Sequence, residues 1–229
     1  MFKPAYQAGN HAVVMTEATE TPNDELPIFP AKAPDSMADP AAALALLQPV
    51  LSALAEVVDP TEEQLTLPTP CEDFDVAALR AHALGWLQFF AAALGDPAGE
   101  TERPDPSSWT LGDASGAEVV AQASANIAAA VQDGAWDAHV VMSQARMSGD
   151  AVVAMALGEY LVHGWDLATA TGRPWPDFTV EAVPALEFLQ ATVQPEYRGP
   201  GSGFFDHEVS APDDAGPLVR LLCFAGRHP

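Results

Sequence analysis

Between Asp150 and Thr171 an otherwise apolar run of helical period carries Glu159, His163 and Asp166 on one stripe with Met155 and Ala170. Glu159 and His163 are four residues apart, so on a helix their side chains stack one turn apart on the same face. Their neighbours Leu157, Leu161, Val162 and Leu167 are apolar, and a bundle helix buries such residues. A bare carboxylate left among them costs roughly several kcal/mol even after relaxation. The fold has to compensate Glu159 with a metal ion, an arginine or hydrogen bonds to histidine. A second helical run, Leu79 to Phe90, carries His82 on its apolar face between Leu79 and Trp86. The functional reading depends on whether these two helices bring their polar groups together.

The rest of the chain supplies further helices. Leu44, Leu47, Val50, Leu51, Leu54 and Val58 recur at three and four residues and predict a helix over 41–58. Pro49 inside it predicts a kink or a late start. A second helix begins after Asp73 or Asp75, either of them a good N-cap, and stops at Gly95 with Pro97. A third spans 117–131, with Val119, Val120, Ala123, Ile127 and Val131 inward. The fourth covers 150–171 and ends at Gly172 and Pro174. A fifth covers 180–193, and a short helix is expected over 218–224. Residues 96–115 and 135–149 read as connections. Short strands are expected at Ala12–Met15 and Phe204–Val209. The domain reading is an extended Pro-rich arm at 1–39, a helical body at 40–195 and a short appendage at 196–229 packed on the body. Short to medium joints make a mostly α, antiparallel four-helix bundle the natural architecture.

The charge narrows the partners. Thirty-two acidic against nine basic residues give a formal net charge of −23, which repels phosphate backbones and anionic membrane surfaces. No nucleic-acid or membrane partner is expected, and no apolar run is read as a bilayer span. Cys71 and Cys223 are the two cysteines. They are too few for a disulfide framework, and no CxxC pair occurs. With no apolar leader segment after Lys3, the expected location is the cytoplasm. Monomer and homodimer are both compatible.

His82, Glu159 and His163 are ligand types that hold a divalent metal at three positions and leave the rest of the coordination sphere to water or substrate, the catalytic pattern. The same donors suit zinc, nickel and iron(II). Asp166, three residues after His163, reads as an acceptor that orients an imidazole, as a fourth ligand, or as a buried acid bonded to backbone or indole. Cys71 follows Pro68-Thr69-Pro70 and is surrounded by Glu72, Asp73 and Asp75. That negative setting disfavours a thiolate and favours a cysteine that packs the turn. His11, His139, His207 and His228 lie in the arm or in loops and read as bystanders.

Two segments carry a family resemblance. Pro68-Thr69-Pro70-Cys71-Glu72-Asp73-Phe74-Asp75-Val76-Ala77-Ala78-Leu79-Arg80-Ala81-His82 and Glu159-Tyr160-Leu161-Val162-His163-Gly164-Trp165-Asp166-Leu167-Ala168-Thr169-Ala170-Thr171-Gly172 resemble the two signatures of the actinobacterial branch of the DinB-like superfamily, related to mycothiol-dependent maleylpyruvate isomerase. The closing Gly226-Arg227-His228-Pro229 is similar to the family's tail. The resemblance implies a DinB-like four-helix bundle with a divalent metal, usually zinc, on His82, Glu159 and His163. It also implies a low-molecular-weight thiol such as mycothiol as cosubstrate. Phe74 stands where the family usually has tryptophan. The tail is too short for the second domain of the full isomerase, and Arg220 and Arg227 are candidate counterparts of a family arginine outside the bundle.

The expected activity is transfer or isomerisation of a small electrophile with a thiol. A non-catalytic metal sensor or carrier and an iron(II) enzyme on the same triad are the alternatives. An acidic substrate needs a basic group beside the metal. Arg80, near the His82 face, and Arg146, on the approach to the fourth helix, are the candidate catalytic residues.

Overall fold

A computed structural model describes residues 22–199 and 205–229 of the chain. The strand expected at Ala12–Met15, together with His11 and Phe204, lies outside the described residues. The helices are α1 Pro40–Val57, α2 Val76–Gly95, α3 Gly116–Gln132, α4 Gly149–Thr171, α5 Ala182–Thr192 and α6 Pro217–Phe224. Each long helix starts and stops for a chemical reason. The Asp39 carboxylate accepts from Ala42 N–H at the start of α1, and Asp75 accepts from Ala78 N–H at the start of α2. Ser115 and Glu118 form a capping box on α3. Gly172 closes α4 in the left-handed region at φ 67°.

Pro49 neither delays nor divides α1, which is continuous from Pro40 to Val57. The proline removes the hydrogen bond to the Ala45 carbonyl, but Ala45 and Pro49 both sit on the exposed side, where water can take the freed acceptor. The buried side of α1 holds Leu44, Leu47, Val50, Leu51, Leu54 and Val57. By length and apolar composition α1 does match a membrane span of 18 residues, contrary to the sequence expectation. Here that apolar stripe packs against α3 and α4.

The four long helices form a bundle in which α1 and α2 each touch both α3 and α4. One end gathers the C-termini of α1 and α4 with the N-termini of α2 and α3. Asp59 links them: its carboxylate accepts from Gly116 and Ala117 N–H and pairs with Arg80 of α2. Arg173, just past α4, donates to the carbonyls of Glu56 and Asp59. Neighbouring helices are therefore parallel in the pairs α1/α4 and α2/α3, and antiparallel in the pairs α1/α3 and α2/α4. The mostly α four-helix bundle expected from the sequence is borne out, with antiparallel and parallel contacts side by side.

The reason lies in residues 96–115, which retrace the bundle instead of turning. They run back along α2, and Gly85 makes room for them: a Cβ there would lie 2.8 Å from Pro106 O and 3.1 Å from Trp109 Cβ.

Residues 135–149 also hold more structure than a connection. β1 His139–Val141 pairs antiparallel with β2 Arg146–Ser148. Ile28 bridges to Arg146, so the segment before α1 lies along this hairpin at the other end of the bundle. Gly149 opens α4 where a Cβ would be 1.7 Å from Ala135 O, which only glycine permits.

Among the described residues of the expected 204–209 strand there is an isolated bridge, Phe205 to Arg198. α5 packs on α4, and α6 packs on α5 and α4. Nearly every side of α4 is buried from Ala151 to Gly164, so α4 is the central helix rather than a wall of the bundle.

Candidate metal centre

The antiparallel contact of α2 and α4 sets the register of the site. Tyr160 of α4 is fully buried; its hydroxyl lies 3.4 Å from Ala83 O, and its ring meets Phe90 edge-on at 6.4 Å. One residue from each of these contacts, His82 and Glu159 face each other: His82 Nε2 is 3.1 Å from Glu159 Oε1. His163, one turn along α4, places Nε2 at 3.3 Å from the same oxygen. One ligand atom from each of His82, Glu159 and His163 lies within 4.8 Å of the others. Glu159 is 6% exposed and His163 is 0% exposed. The His82 side chain keeps 10% exposure, so the site opens on the α2 side. Burial holds the His82 imidazole below its usual pKa, against the pull of Glu159, which favours the neutral ligand form.

The donor set fits a divalent cation. His163 Nε2 is buried and, among the described residues, has no hydrogen-bond partner. Its 3.3 Å approach to Glu159 Oε1 is an ion-pair distance and not a hydrogen bond. Buried polar atoms are rarely left this way. A cation between Nε2, Glu159 and His82 would satisfy all three groups at once.

The other face of the His163 ring explains the orientation. Nδ1 is 3.0 Å from Asp166 Oδ2. A ring that donates Nδ1–H to a carboxylate turns the Nε2 lone pair inward. Asp166 is itself fully buried, and Arg227 forks onto it: Nε lies 2.9 Å from Oδ1 and Nη2 lies 2.9 Å from Oδ2. Burial by itself would raise Asp166; the His163 hydrogen bond and the Arg227 charge outweigh it and hold this carboxyl below the usual range.

Phe74 and Trp86, both partly buried, flank His82, with ring centroids at 5.0 and 6.3 Å. The Pro-Thr-Pro-Cys turn delivers Phe74. The Thr69 hydroxyl lies 2.9 Å from Cys71 O and 2.8 Å from Phe74 O, and accepts from Cys71 N–H. Cys71 is buried within this turn.

The two candidate catalytic arginines are not brought to the triad. Arg80 is two residues from His82, about 200° around the helix. Its guanidinium donates to Val58 O and to Asp59. Arg146 donates to Leu26 O at 3.2 Å from β2. From Gly149 to Glu159 α4 rises about 15 Å beyond that strand. Arg103, Arg173, Arg198 and Arg220 likewise donate to backbone carbonyls elsewhere. Arg227 alone among the arginines reaches a residue that touches the triad, and it does so through Asp166. Sequence reasoning named Arg227 only as a family counterpart. The signal for its burial was its place directly after the apolar run Leu221–Gly226.

Comparison with known proteins identifies relatives of the chain. Residues 44–168 match the model of the mycothiol maleylpyruvate isomerase N-terminal domain. That span runs from α1 to nearly the end of α4 and includes His82, Glu159, His163 and Asp166. Two uncharacterized proteins of Mycobacterium tuberculosis, from strains CDC 1551 / Oshkosh and ATCC 25618 / H37Rv, are each 29% identical over 167 residues. The match covers 72% of this chain and 86% of theirs. No solved structure matches the chain significantly.

Proposed function

The chain belongs to the mycothiol maleylpyruvate isomerase N-terminal domain family, and from that premise we propose a divalent-metal enzyme that joins a low-molecular-weight thiol to a small electrophile. The observation that carries this reading is the convergence of two imidazoles and one carboxylate on a buried point, with His163 Nε2 otherwise unsatisfied. When bound, a cation there supplies the positive charge that favours the thiolate of a coordinated thiol. His82, Glu159 and His163 are its proposed ligands. Zinc is the first candidate; nickel and iron(II) suit the same donors.

The protein's own part is to hold these ligands and to shape what approaches them. Asp166 keeps the His163 ring turned inward. Phe74 and Trp86 line the way to His82 and keep bulk water away from it. With every arginine engaged elsewhere, no guanidinium awaits an anionic substrate. We therefore read the electrophile as an uncharged, apolar or aromatic molecule rather than a dicarboxylate. In a transfer the thiolate sulfur bonds to carbon and a leaving group departs with its electron pair. In an isomerisation the thiolate adds to a conjugated carbon–carbon double bond and the π pair moves onto the adjacent electron-withdrawing group; the resulting single bond rotates, and the pair returns to re-form the double bond as the thiolate leaves.

A sensor or carrier would close the site with a fourth protein ligand. Asp166 is the nearest acid to serve, but both its oxygens are held by Arg227 and His163. This favours an open coordination position and hence the enzyme. The test is to load the protein with zinc, supply mycothiol and a neutral electrophile, and follow thiol consumption. Turnover abolished in Glu159→Ala is the expected result. Equal rates in both proteins overturn the reading.

A further inference from the structure

The fully buried Arg227 is a cation drawn 61 residues along the chain onto Asp166. It donates through Nε to Oδ1 at 2.9 Å and Oδ2 at 3.2 Å, and through Nη2 to Oδ2 at 2.9 Å. Its Nη1 is taken by Ala225 O at 3.0 Å. Asp166 Oδ2 in turn receives His163 Nδ1 at 3.0 Å. Side chains of Arg227, Asp166 and His163 are all 0% exposed. The three form one dry line from the segment after α6 to the candidate metal centre.

From this line we infer that Arg227 is a positioning residue for the metal site, acting on His163 through Asp166. This inference rests on the metal-binding reading above. A carboxylate can turn about its own bonds, and each rotamer presents a different oxygen to the imidazole. A planar guanidinium that grips both oxygens allows only one plane. That plane fixes the Nδ1 hydrogen bond, and the hydrogen bond fixes the direction of Nε2. Outer groups of this kind typically change metal affinity by about 10- to 100-fold. Lysine carries the same charge without the fork, so it restores only part of the constraint.

The packing of the C-terminal segment has a separate holder. Arg198 donates to Phe224 O at 2.8 Å and Asp206 O at 3.2 Å, and stacks over the Phe224 ring at 4.3 Å. It docks the same region without touching Asp166, which makes it the control.

The experiment titrates cobalt(II) into metal-free protein and reads affinity and the visible d–d spectrum. Wild type, Arg227→Gln, Arg227→Lys and Arg198→Gln are compared, each first checked for helicity by circular dichroism. The expected result is cobalt binding weakened about 10- to 100-fold in Arg227→Gln, an intermediate loss in Arg227→Lys with a shifted spectrum, and wild-type binding in Arg198→Gln. Wild-type affinity and spectrum in the Arg227 variants overturn the inference and leave the metal reading standing. Equal weakening in Arg198→Gln also overturns it, since the effect would then belong to docking of the segment. If Arg227→Gln does not fold, Arg227→Lys decides by the same two readouts. Wild-type protein that takes up no cobalt overturns the metal reading and this inference together.

Discussion

Gly164 and Trp175 claim the same space: a Cβ on Gly164 would lie 2.1 Å from Trp175 Cη2. The far edge of the indole, Cη2 with Cζ2 and Cζ3, meets α4 one residue after His163, and the ring meets Phe178 edge-on at 5.3 Å. Alanine is the better helix former by up to about 1 kcal/mol, but overpacking here costs about 1–3 kcal/mol or more. Gly164→Ala is expected to lower the melting temperature. In a Trp175→Ala background the same change is expected to be neutral or stabilising. A double-mutant cycle by thermal unfolding measures this, and an identical loss in both backgrounds contradicts it.

Asp59 makes the acid side of the stability profile predictable. Burial pushes its pKa up, but hydrogen bonds from Ala117 and Gly116 N–H and the Arg80 pair outweigh this and lower it below 3.8. The folded state thus binds fewer protons than the unfolded state between that lowered value and 3.8. Its stabilising contribution is complete above pH 3.8 and disappears as pH falls through the folded value. Asp59→Asn is expected to flatten the stability profile below about pH 4 and to leave a constant loss of roughly 1 kcal/mol above it. Urea unfolding from pH 3 to 7 tests this; an unchanged acid limb speaks against it.

Tyr160 is fully buried, and its hydroxyl is 3.4 Å from Ala83 O, a long contact. Its ring, against Phe90, carries the packing. Tyr160→Phe is expected to cost under about 1 kcal/mol, whereas Tyr160→Ala costs about 3–5 kcal/mol. Denaturant midpoints of the two variants separate the roles. A large loss in Tyr160→Phe would mean that the hydroxyl, not the ring, sets the α2/α4 register.

The bundle has an apolar core of its own, with Leu47, Leu51, Leu54, Leu79, Leu84, Leu87 and Phe90 almost fully buried. His163→Ala is therefore expected to abolish metal uptake while helicity stays within a few per cent of wild type. Circular dichroism with and without a chelator checks this. Unfolding of the wild type on chelation would make the metal structural.

The helices were legible because the 3.6-residue period and the caps agree. Asp75, Gly95 and Gly172 mark ends in the sequence that the structure uses. The facing of His82 and Glu159 followed from a simple physical demand, since ligand-type residues on apolar faces need partners. The parallel pairing of α2 with α3 was not legible. It depends on residues 96–115 lying against Gly85, a contact with no periodic signature. The 139–148 hairpin was hidden because each strand is only three residues long, too short for alternation to register. Helical geometry alone sets Arg80 on the opposite side of α2 from His82, where it donates to Val58 O and Asp59. The Arg227–Asp166 pair joins residues 61 apart in the chain, and no local pattern predicts such a pair.

Metal content by mass spectrometry, on untagged wild type beside Glu159→Ala, is the decisive test of the metal centre. About one divalent ion per chain is expected, lost in the variant. No metal in either protein, with none taken up on titration, would contradict it and leave His82, Glu159 and His163 as a buried polar network.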